Sequence, residues 1–282
     1  MSITVLDPGA LSTVQDLGRP GWAHLGVPRA GALDQPAAAL ANRIVGNPPE
    51  AALVETTLTG LSFRAEQGHW IAVTGARCEV SVDDAPAAHG QAVFADGGSV
   101  VTVGPAETGL RSYVAFAGGI AVHPILDSRS TDTLAWVGPP RLAEGAWLPV
   151  GDPAGSPQPH DTPRPPRGGP LRLLAGPRAD WFSGDVLEAL CATAYTVGEA
   201  SNRIGLRLRG RALERSREDE LASEGMVLGA VQVPPDGQPV VFLADHPVTG
   251  GYPVVAVVRL EDVARCAQLR PGDDVRFTRD RG

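Results

Sequence analysis

Lysine is absent from this chain, and all 24 of its basic residues are arginine. Without a lysine it cannot form a Schiff base with pyridoxal phosphate, carry a biotinyl group or supply the lysine of a P-loop. Cysteine is scarce. Cys78, Cys191 and Cys266 are odd in number and far apart, which predicts free thiols in a reducing cytoplasm, not a disulfide framework. The six histidines (His24, His69, His89, His123, His160 and His246) show no HExxH or HxH spacing, and no CxxC occurs. No metal site is therefore expected. A GxSxG elbow is also missing, and no cysteine lies near a histidine in sequence, which argues against covalent catalysis. No apolar run approaches the roughly 20 residues that span a bilayer, and "MSITVLDPG" lacks the charged and apolar regions of a signal peptide. The expected location is the cytoplasm, away from membranes. A net charge of −8 gives no positive field for nucleic acid.

What is present is a β-rich, soluble composition. The 282 residues, 43% hydrophobic and 20% charged, suffice for one large domain or two ordinary ones. Period-two alternation recurs in "CEVSVDD", "SVVTVG", "RSYVAFAGG", "LRLLAG", "IGLRLRG", "GMVLGAVQV", "QPVVFLAD" and "YPVVAVVR". In "LRLRG", Leu206 and Leu208 face in while Arg207 and Arg209 face out. Asp236-Gly237 in "VPPDGQPV" is a hairpin turn. Helices are few. One is capped by Asp34, has Pro36 in its first turn and ends at Gly46, with Leu33, Ala37, Leu40 and Ile44 on its apolar stripe. Shorter helices are expected near "DWFSGDVLEALCA" and "RLEDVARCAQL". The fold class is mainly β, barrel-like or sandwich-like. The expected domains are residues 1–150 and 171–282, both β-rich, joined by the Pro/Gly-rich linker 151–170.

Polar residues concentrate in a few loops. "STVQDLGRPGWAHLGVPRAGALDQPAAALANRIVGN" carries Gln15, Asp16, Arg19, His24, Arg29 and Asp34 among glycines and prolines. A guanidinium fork beside glycines suits a carboxylate or phosphoryl oxygen; the alternative is an Asp16–Arg19 pair bracing a tight turn. "GEASNRIGLRL" places Asn202 and Arg203 at the start of a strand, either to fix a small polar ligand or as an Asx-turn with a solvated arginine. "ASEGMVLGAVQV" and "LADHPVTGGYPVV" interrupt apolar strands with Glu224, Gln232, Asp245, His246, Thr249 and Tyr252, and Gly250-Gly251 permits close backbone approach. Asp245 and His246 are sequence neighbours that would point to opposite faces of a strand, so they form no dyad. "LERSREDELASEG" reads as a solvated, mixed-charge loop.

These long motifs, with "SNRIGLRL", "SEGMVLGAVQVPPDGQPV" and "DHPVTGGYPVVAVV", closely resemble a family that embraces KipA, allophanate hydrolase subunit 2 and the C subunit of 5-oxoprolinase (PxpC), from residue 8 to residue 277. The resemblance implies two cyclophilin-like β-barrel domains. It also implies partners: a KipI-like protein (PxpB) and a LamB/YcsF-like protein (PxpA), acting together on a small amide or lactam. The implied reaction is ATP-dependent opening of 5-oxoproline to glutamate. No cofactor would be held covalently, and ATP would be bound mainly on a partner. The same resemblance covers the carboxyltransferase part of biotin-dependent urea or amide carboxylases, and KipA-like modules that bind a KipI-like inhibitor without catalysis. Under the lactam reading, Arg19 and Arg203 are the expected donors to the developing oxyanion or phosphate, and Asp245 or Asp16 would orient water. Gln15, Asn202, Gln232, Thr249 and Tyr252 are the expected substrate-binding side chains. The stretch "GGIAVHPILDSRSTDTLAWVGPPRLAEGAWL" departs from the family pattern, with Asp127 in place of Gly and Gly145-Ala146 in place of Gly-Asp. No site residue is expected there.

Overall fold

The stretch from Asp34 to Gly46 shows local chemistry acting directly. In the computed structural model, whose described residues are 1–158, 168–217 and 219–280, helix α1 spans Gln35–Ile44. The Asp34 side chain accepts a hydrogen bond from the Ala37 amide at 3.1 Å, satisfying one of the first turn's orphan N–H groups. Gly46 follows with φ of 81°, the left-handed conformation that ends a helix without a Cβ clash. The buried stripe is displaced from the expected one. Ala38, Ala41 and Ile44 are buried, whereas Ala37 and Leu40 are half-buried. The alanines share a cluster with Ala72 and Ala115 of the sheet, so small side chains on both elements bring the two backbones together.

The chain divides into two units. Unit 1 is Met1–Arg19, Ala30–Asp132 and Trp136–Pro165; unit 2 is Pro20–Arg29, Thr133–Ala135 and Pro166–Gly282. Two short pieces of the N-terminal half, residues 20–29 and 133–135, therefore belong with the C-terminal half. Of the segment 151–170 read as a linker, residues 159–167 lie outside the described residues. Residues 155–158 run across the end of α1, with the Gln158 amide donating to the Ile44 carbonyl at 3.0 Å.

Among the described residues, unit 1 holds eleven strands: β1 (Ser2–Asp7), β2 (Leu11–Gln15), β3 (Leu53–Thr57), β4 (Leu61–Ala65), β5 (His69–Arg77), β6 (Val80–Val82), β7 (Ala85–Ala87), β8 (Val93–Ala95), β9 (Val100–Val103), β10 (Thr108–Phe116) and β11 (Trp147–Pro149). They form a six-stranded sheet in the order β11-β1-β4-β9-β6-β7 and a five-stranded sheet in the order β2-β3-β10-β5-β8. Ile3, Val5, Phe63 and Val101 of the first and Val14, Val54, Val73, Val114 and Phe116 of the second form one apolar core. Phe63 meets Phe116 edge-on at 5.1 Å. The other face of the five-stranded sheet takes α1. Period-two alternation puts Leu53, Tyr113 and Ala115 there.

Unit 2 carries β12 (Leu171–Ala175), α2 (Val186–Ala192), β13 (Tyr195–Val197), β14 (Gly205–Arg209), β15 (Glu224–Gly225), β16 (Ala230–Gln232), β17 (Val240–Phe242), β18 (Thr249–Gly250), β19 (Val254–Val258), α3 (Leu260–Cys266), β20 (Asp274–Val275) and β21 (Phe277–Arg279). Eight of the strands form one sheet in the order β20-β13-β14-β17-β16-β19-β12-β21, and β15 pairs β18. The sheet's outermost strands, β20 and β21, are separated by one residue of chain, so the sheet curls almost shut, as a barrel requires. In β14, Leu206 and Leu208 are buried and Arg207 and Arg209 exposed, as the alternation demands. Asp236-Gly237 turns β16 into β17, with φ of 73° at Gly237.

Tyr113 is fully buried, and its hydroxyl accepts the Asp34 amide at 2.7 Å. Burial and the nearby Glu55 and Asp34 push its phenol well above the ordinary range, so it stays neutral. Replacing Tyr113→Phe strands that N–H in a dry interior and is expected to cost about 1–3 kcal/mol, read from the urea midpoint. His69 and His89 supply a second prediction. Burial holds both imidazoles below their ordinary pKa, and each ring Nε2 lies 3.2 Å from a backbone carbonyl, that of Ser2 or Ala76. The unfolded chain binds these protons near pH 6.5 and the folded one only at lower pH. Stability is thus full above pH 6.5 and falls with acidification, by at most about 1.4 kcal/mol per histidine per pH unit. Urea titrations at pH 7.5 and 5.5 should show this loss, and a smaller loss in the His69→Gln, His89→Gln variant.

Candidate functional site

In unit 1 the expected site residues gather at the end of β2. The Asp16 carboxylate accepts four hydrogen bonds. Its Oδ1 takes the Gly18 amide at 2.7 Å, the Ser128 hydroxyl at 2.6 Å and the Ser130 hydroxyl at 2.5 Å. Its Oδ2 takes the Arg129 amide at 2.6 Å. Those four bonds occupy both carboxylate oxygens with donors from the two loops. Asp16, expected to orient water, here fastens two loops. The Arg19 side chain is 1% exposed. Its Nη2 donates to the Ser130 carbonyl and its Nε to the Ile125 carbonyl at 3.3 Å. A Cβ at Gly138 would lie 2.1 Å from the Ser130 oxygen and 2.9 Å from Arg19 Nη2, so only glycine fits beside that bond. Arg19 therefore holds loops as well. Gln15, also buried, donates to the Thr131 carbonyl at 2.9 Å and the Thr13 hydroxyl at 3.0 Å.

In unit 2, Arg203 and Asp245 face each other. Arg203 Nε lies 2.9 Å from Asp245 Oδ2 and Nη2 lies 3.0 Å from Oδ1, a two-pronged pair in which the side chains are 1% and 0% exposed. Asp245 Oδ2 also accepts the Thr133 amide at 2.9 Å and the Thr133 hydroxyl at 2.7 Å. The expected oxyanion donor and the expected water-orienting base are thus engaged with one another and out of water. Sequence alone could not pair them, because 42 residues separate them.

The expected binding side chains are dispersed. Asn202 Oδ1 accepts the amides of Ile204 at 2.8 Å and Gly205 at 3.3 Å, which is the Asx-turn alternative. Gln232 is buried and donates to the Tyr252 carbonyl at 3.0 Å. A Cβ at Gly250 would come within 2.7 Å of its Nε2. Thr249 is exposed. Tyr252 is 44% exposed, with the Arg215 guanidinium 5.5 Å from its ring centre. Gln232 and Tyr252 therefore meet, while Asn202 braces a turn of its own.

The residues missed lie where no site was expected. Ser128, Ser130 and Thr133 of "SRSTDT" supply hydroxyls to both aspartates. Leu126 and Asp127, with φ of 51° and 62°, form the tight turn that delivers Ser128. Asp127 adopts the left-handed region, which aspartate tolerates better than most non-glycine residues. The signal available was four hydroxyl residues within six positions. Among the described residues no group of three or more His, Cys, Asp or Glu is placed to hold a metal ion, and no helix is long and apolar enough to cross a membrane.

Asp245→Ala removes four acceptor contacts and leaves a buried guanidinium charge, at an expected cost of about 3–5 kcal/mol. Replacing both partners with apolar side chains, Arg203→Met with Asp245→Leu, should cost less than the single change, since no charge is then stranded. Urea denaturation of the three proteins checks this.

The whole chain also has known counterparts. A family profile described as "Carboxyltransferase domain, subdomain A and B" matches residues 25–279. The C subunit of the Escherichia coli K12 5-oxoprolinase is 36% identical over 279 residues, covering 98% of this chain and 90% of that protein. The crystal structure of TTHA0988 superposes with a TM-score of 0.88 at 35% identity, over 98% of this chain and 55% of that one. The K. lactis urea amidolyase structure gives a TM-score of 0.91 at 30% identity, over 99% of this chain and 18% of that one. This chain therefore spans about half of the first solved structure and under a fifth of the second. Likeness of this extent, in sequence and in backbone, agrees with the mainly β, cyclophilin-like barrels implied by the sequence. The chain belongs to the carboxyltransferase domain, subdomain A and B, family.

Proposed function

We propose that this chain is the C subunit of an ATP-dependent 5-oxoprolinase, taking part with partner proteins in opening the lactam of 5-oxoproline to glutamate. The observation that carries this reading is co-extension. The E. coli C subunit matches this chain over nearly the full length of both, whereas urea amidolyase holds the same fold as a small part of a longer chain. The partners are a KipI-like protein and a LamB/YcsF-like protein. An amide is resonance-stabilised, so phosphoryl transfer from ATP to its oxygen would make its carbon a better electrophile. A chain without lysine has no P-loop, which supports a reading in which ATP is bound mainly on a partner and this protein is inactive alone. This chain's own part is to hold substrate groups with arginine and amide donors on loops made rigid by Asp16 and by the Arg203–Asp245 pair.

A second reading has its own support, because the matching family is described as a carboxyltransferase domain and urea amidolyase contains it. There, biotin would arrive on another chain, since no lysine here can carry it.

Purified alone and then mixed with its KipI-like and LamB/YcsF-like partners, the chain is assayed for ATP-dependent glutamate release from 5-oxoproline. Release only in the full mixture is the expected result. No release, with carboxyl transfer from a labelled biotin carrier instead, would overturn the oxoprolinase reading in favour of the second.

A further inference from the structure

The face of the five-stranded sheet that carries α1 is longer than the helix. Thr74 of β5 meets the first turn of α1, its hydroxyl donating to the Ala37 carbonyl at 2.7 Å, and Ala72 packs in one cluster with Ile44. Trp70 lies two residues further along the same face, and there the helix has already ended at Gly46. Trp70 is 38% exposed, yet its ring is held. Phe94, its cross-strand neighbour on β8, meets it edge-on at 5.2 Å. Phe94 in turn lies across Gly68, where a Cβ would come within 2.8 Å of the ring. A fixed, half-open indole offers a flat apolar wall with little conformational freedom left to lose.

This open end of the sheet is a walled cavity of about 400 Å³, lined by Trp70, Ile44, Ala92, Pro157 and two glutamines, Gln91 and Gln158. Apolar walls with a few polar groups, at this size, are what small-molecule sites show. The wall at Pro157 is anchored, since the Gln158 amide donates to the Ile44 carbonyl at 3.0 Å. The Gln158 side chain donates through Nε2 to the Ser156 carbonyl at 3.1 Å, which leaves its Oε1 to accept. The Gln91 side chain is exposed and bonds to no described residue, so its Nε2 is available to donate. Gln158 also lines a second cavity, of about 300 Å³, together with Arg43. The Arg43 guanidinium is exposed and makes no ion pair among the described residues.

We infer that these joined cavities bind a small ring that carries a cis-amide edge and a carboxylate. Gln158 Oε1 accepts the ring N–H, Gln91 Nε2 donates to the ring C=O beside it, and Trp70 and Pro157 cover the ring. Arg43 takes the carboxylate. A ring amide presents its N–H and C=O on one side, which is the pattern that a glutamine acceptor and a glutamine donor complement. 5-Oxoproline combines the edge and the carboxylate in one molecule. Naming it as the occupant rests on the oxoprolinase reading; the site itself does not. The ureido ring of biotin has the same edge, but joined to a carrier it has no carboxylate for Arg43, which favours 5-oxoproline.

The test is a saturation-transfer NMR titration of the whole chain without partners. The probes are 5-oxoproline, cyclopentanecarboxylate (no amide edge), 2-pyrrolidinone (no carboxylate) and biotinamide (a ureido ring without a carboxylate). 5-Oxoproline is expected to bind saturably, and the two truncated rings at least about tenfold more weakly, the equivalent of one lost hydrogen bond. Gln91→Leu and Trp70→Ala should each weaken 5-oxoproline by a similar factor. Arg43→Gln should weaken 5-oxoproline and leave 2-pyrrolidinone unchanged. Thermal unfolding of each variant separates lost binding from lost folding. Biotinamide binding tighter than 5-oxoproline, and lost in Gln91→Leu, would overturn 5-oxoproline as the occupant. No saturable binding of any probe at millimolar concentration, or 5-oxoproline binding unchanged in Gln91→Leu and Trp70→Ala, would overturn the site. Glutamate release by the reconstituted complex is scored separately. Release without binding to the lone chain removes the site and leaves the oxoprolinase reading; binding without release does the reverse.

Discussion

Asp245 has no contact with water, and unit 2 is organised around keeping it satisfied. A bare carboxylate in such a place would be strongly unfavourable. Two prongs of Arg203 and both donors of Thr133 make it tenable. The constraint runs outward from there. Arg203 is fixed just before β14 and Asp245 just after β17, two strands that pair directly. Thr133 draws a three-residue piece of the N-terminal half into the same unit. Asp16 performs the corresponding task in unit 1, where its four donors tie the turn at Gly18 to the loop of Ser128–Ser130.

The two aspartates explain how a chain of this family can look rich in catalytic groups while most of them are occupied. Carboxylates and guanidiniums at loop junctions have the chemistry of an active site, and here they use it on one another. What such networks provide is rigidity, which a binding loop needs so that its remaining donors meet a ligand without first losing conformational freedom. A lysine-free chain leaves that work to arginine, whose fixed fork holds backbone carbonyls and carboxylates in defined directions.

Much of the fold could be read from sequence because it depends on local rules. Asp34, Pro36 and Gly46 mark the limits of α1 by capping and by backbone conformation. Leu206 and Leu208 alternate with arginines because β14 has one buried face. The turn at Asp236-Gly237 needs nothing beyond its own residues. The stripe on α1 was less legible, since its rotation is set by alanines on the opposing sheet, at positions 72 and 115, far away in the chain. The candidate site was the least legible part. Asp16, Arg19, Arg203 and Asp245 stand out in sequence as unusual polar residues, yet their roles depend on partners more than forty positions off. A hydroxyl-rich run such as "SRSTDT" has no periodicity or spacing that would announce what it binds. The two units were blurred in sequence for the same reason, because residues 20–29 and 133–135 leave no compositional mark of where they belong.

Those two short pieces have a consequence for how the protein is made. During synthesis the N-terminal half leaves the ribosome with residues 20–29 and 133–135 already in place but without the strands they pack among, which are encoded later. Leu25 and Leu134, both still partly open to solvent in the finished fold, would then be more so. Unit 1 can close its sheets while these segments wait, but unit 2 cannot be completed by the C-terminal half alone, because Thr133 must come from the earlier one. A cut near residue 165, which composition alone would suggest as harmless, would release a fragment whose Asp245 lacks two of its four donor contacts. The two halves of this chain are therefore separable as sequence but not as folding units.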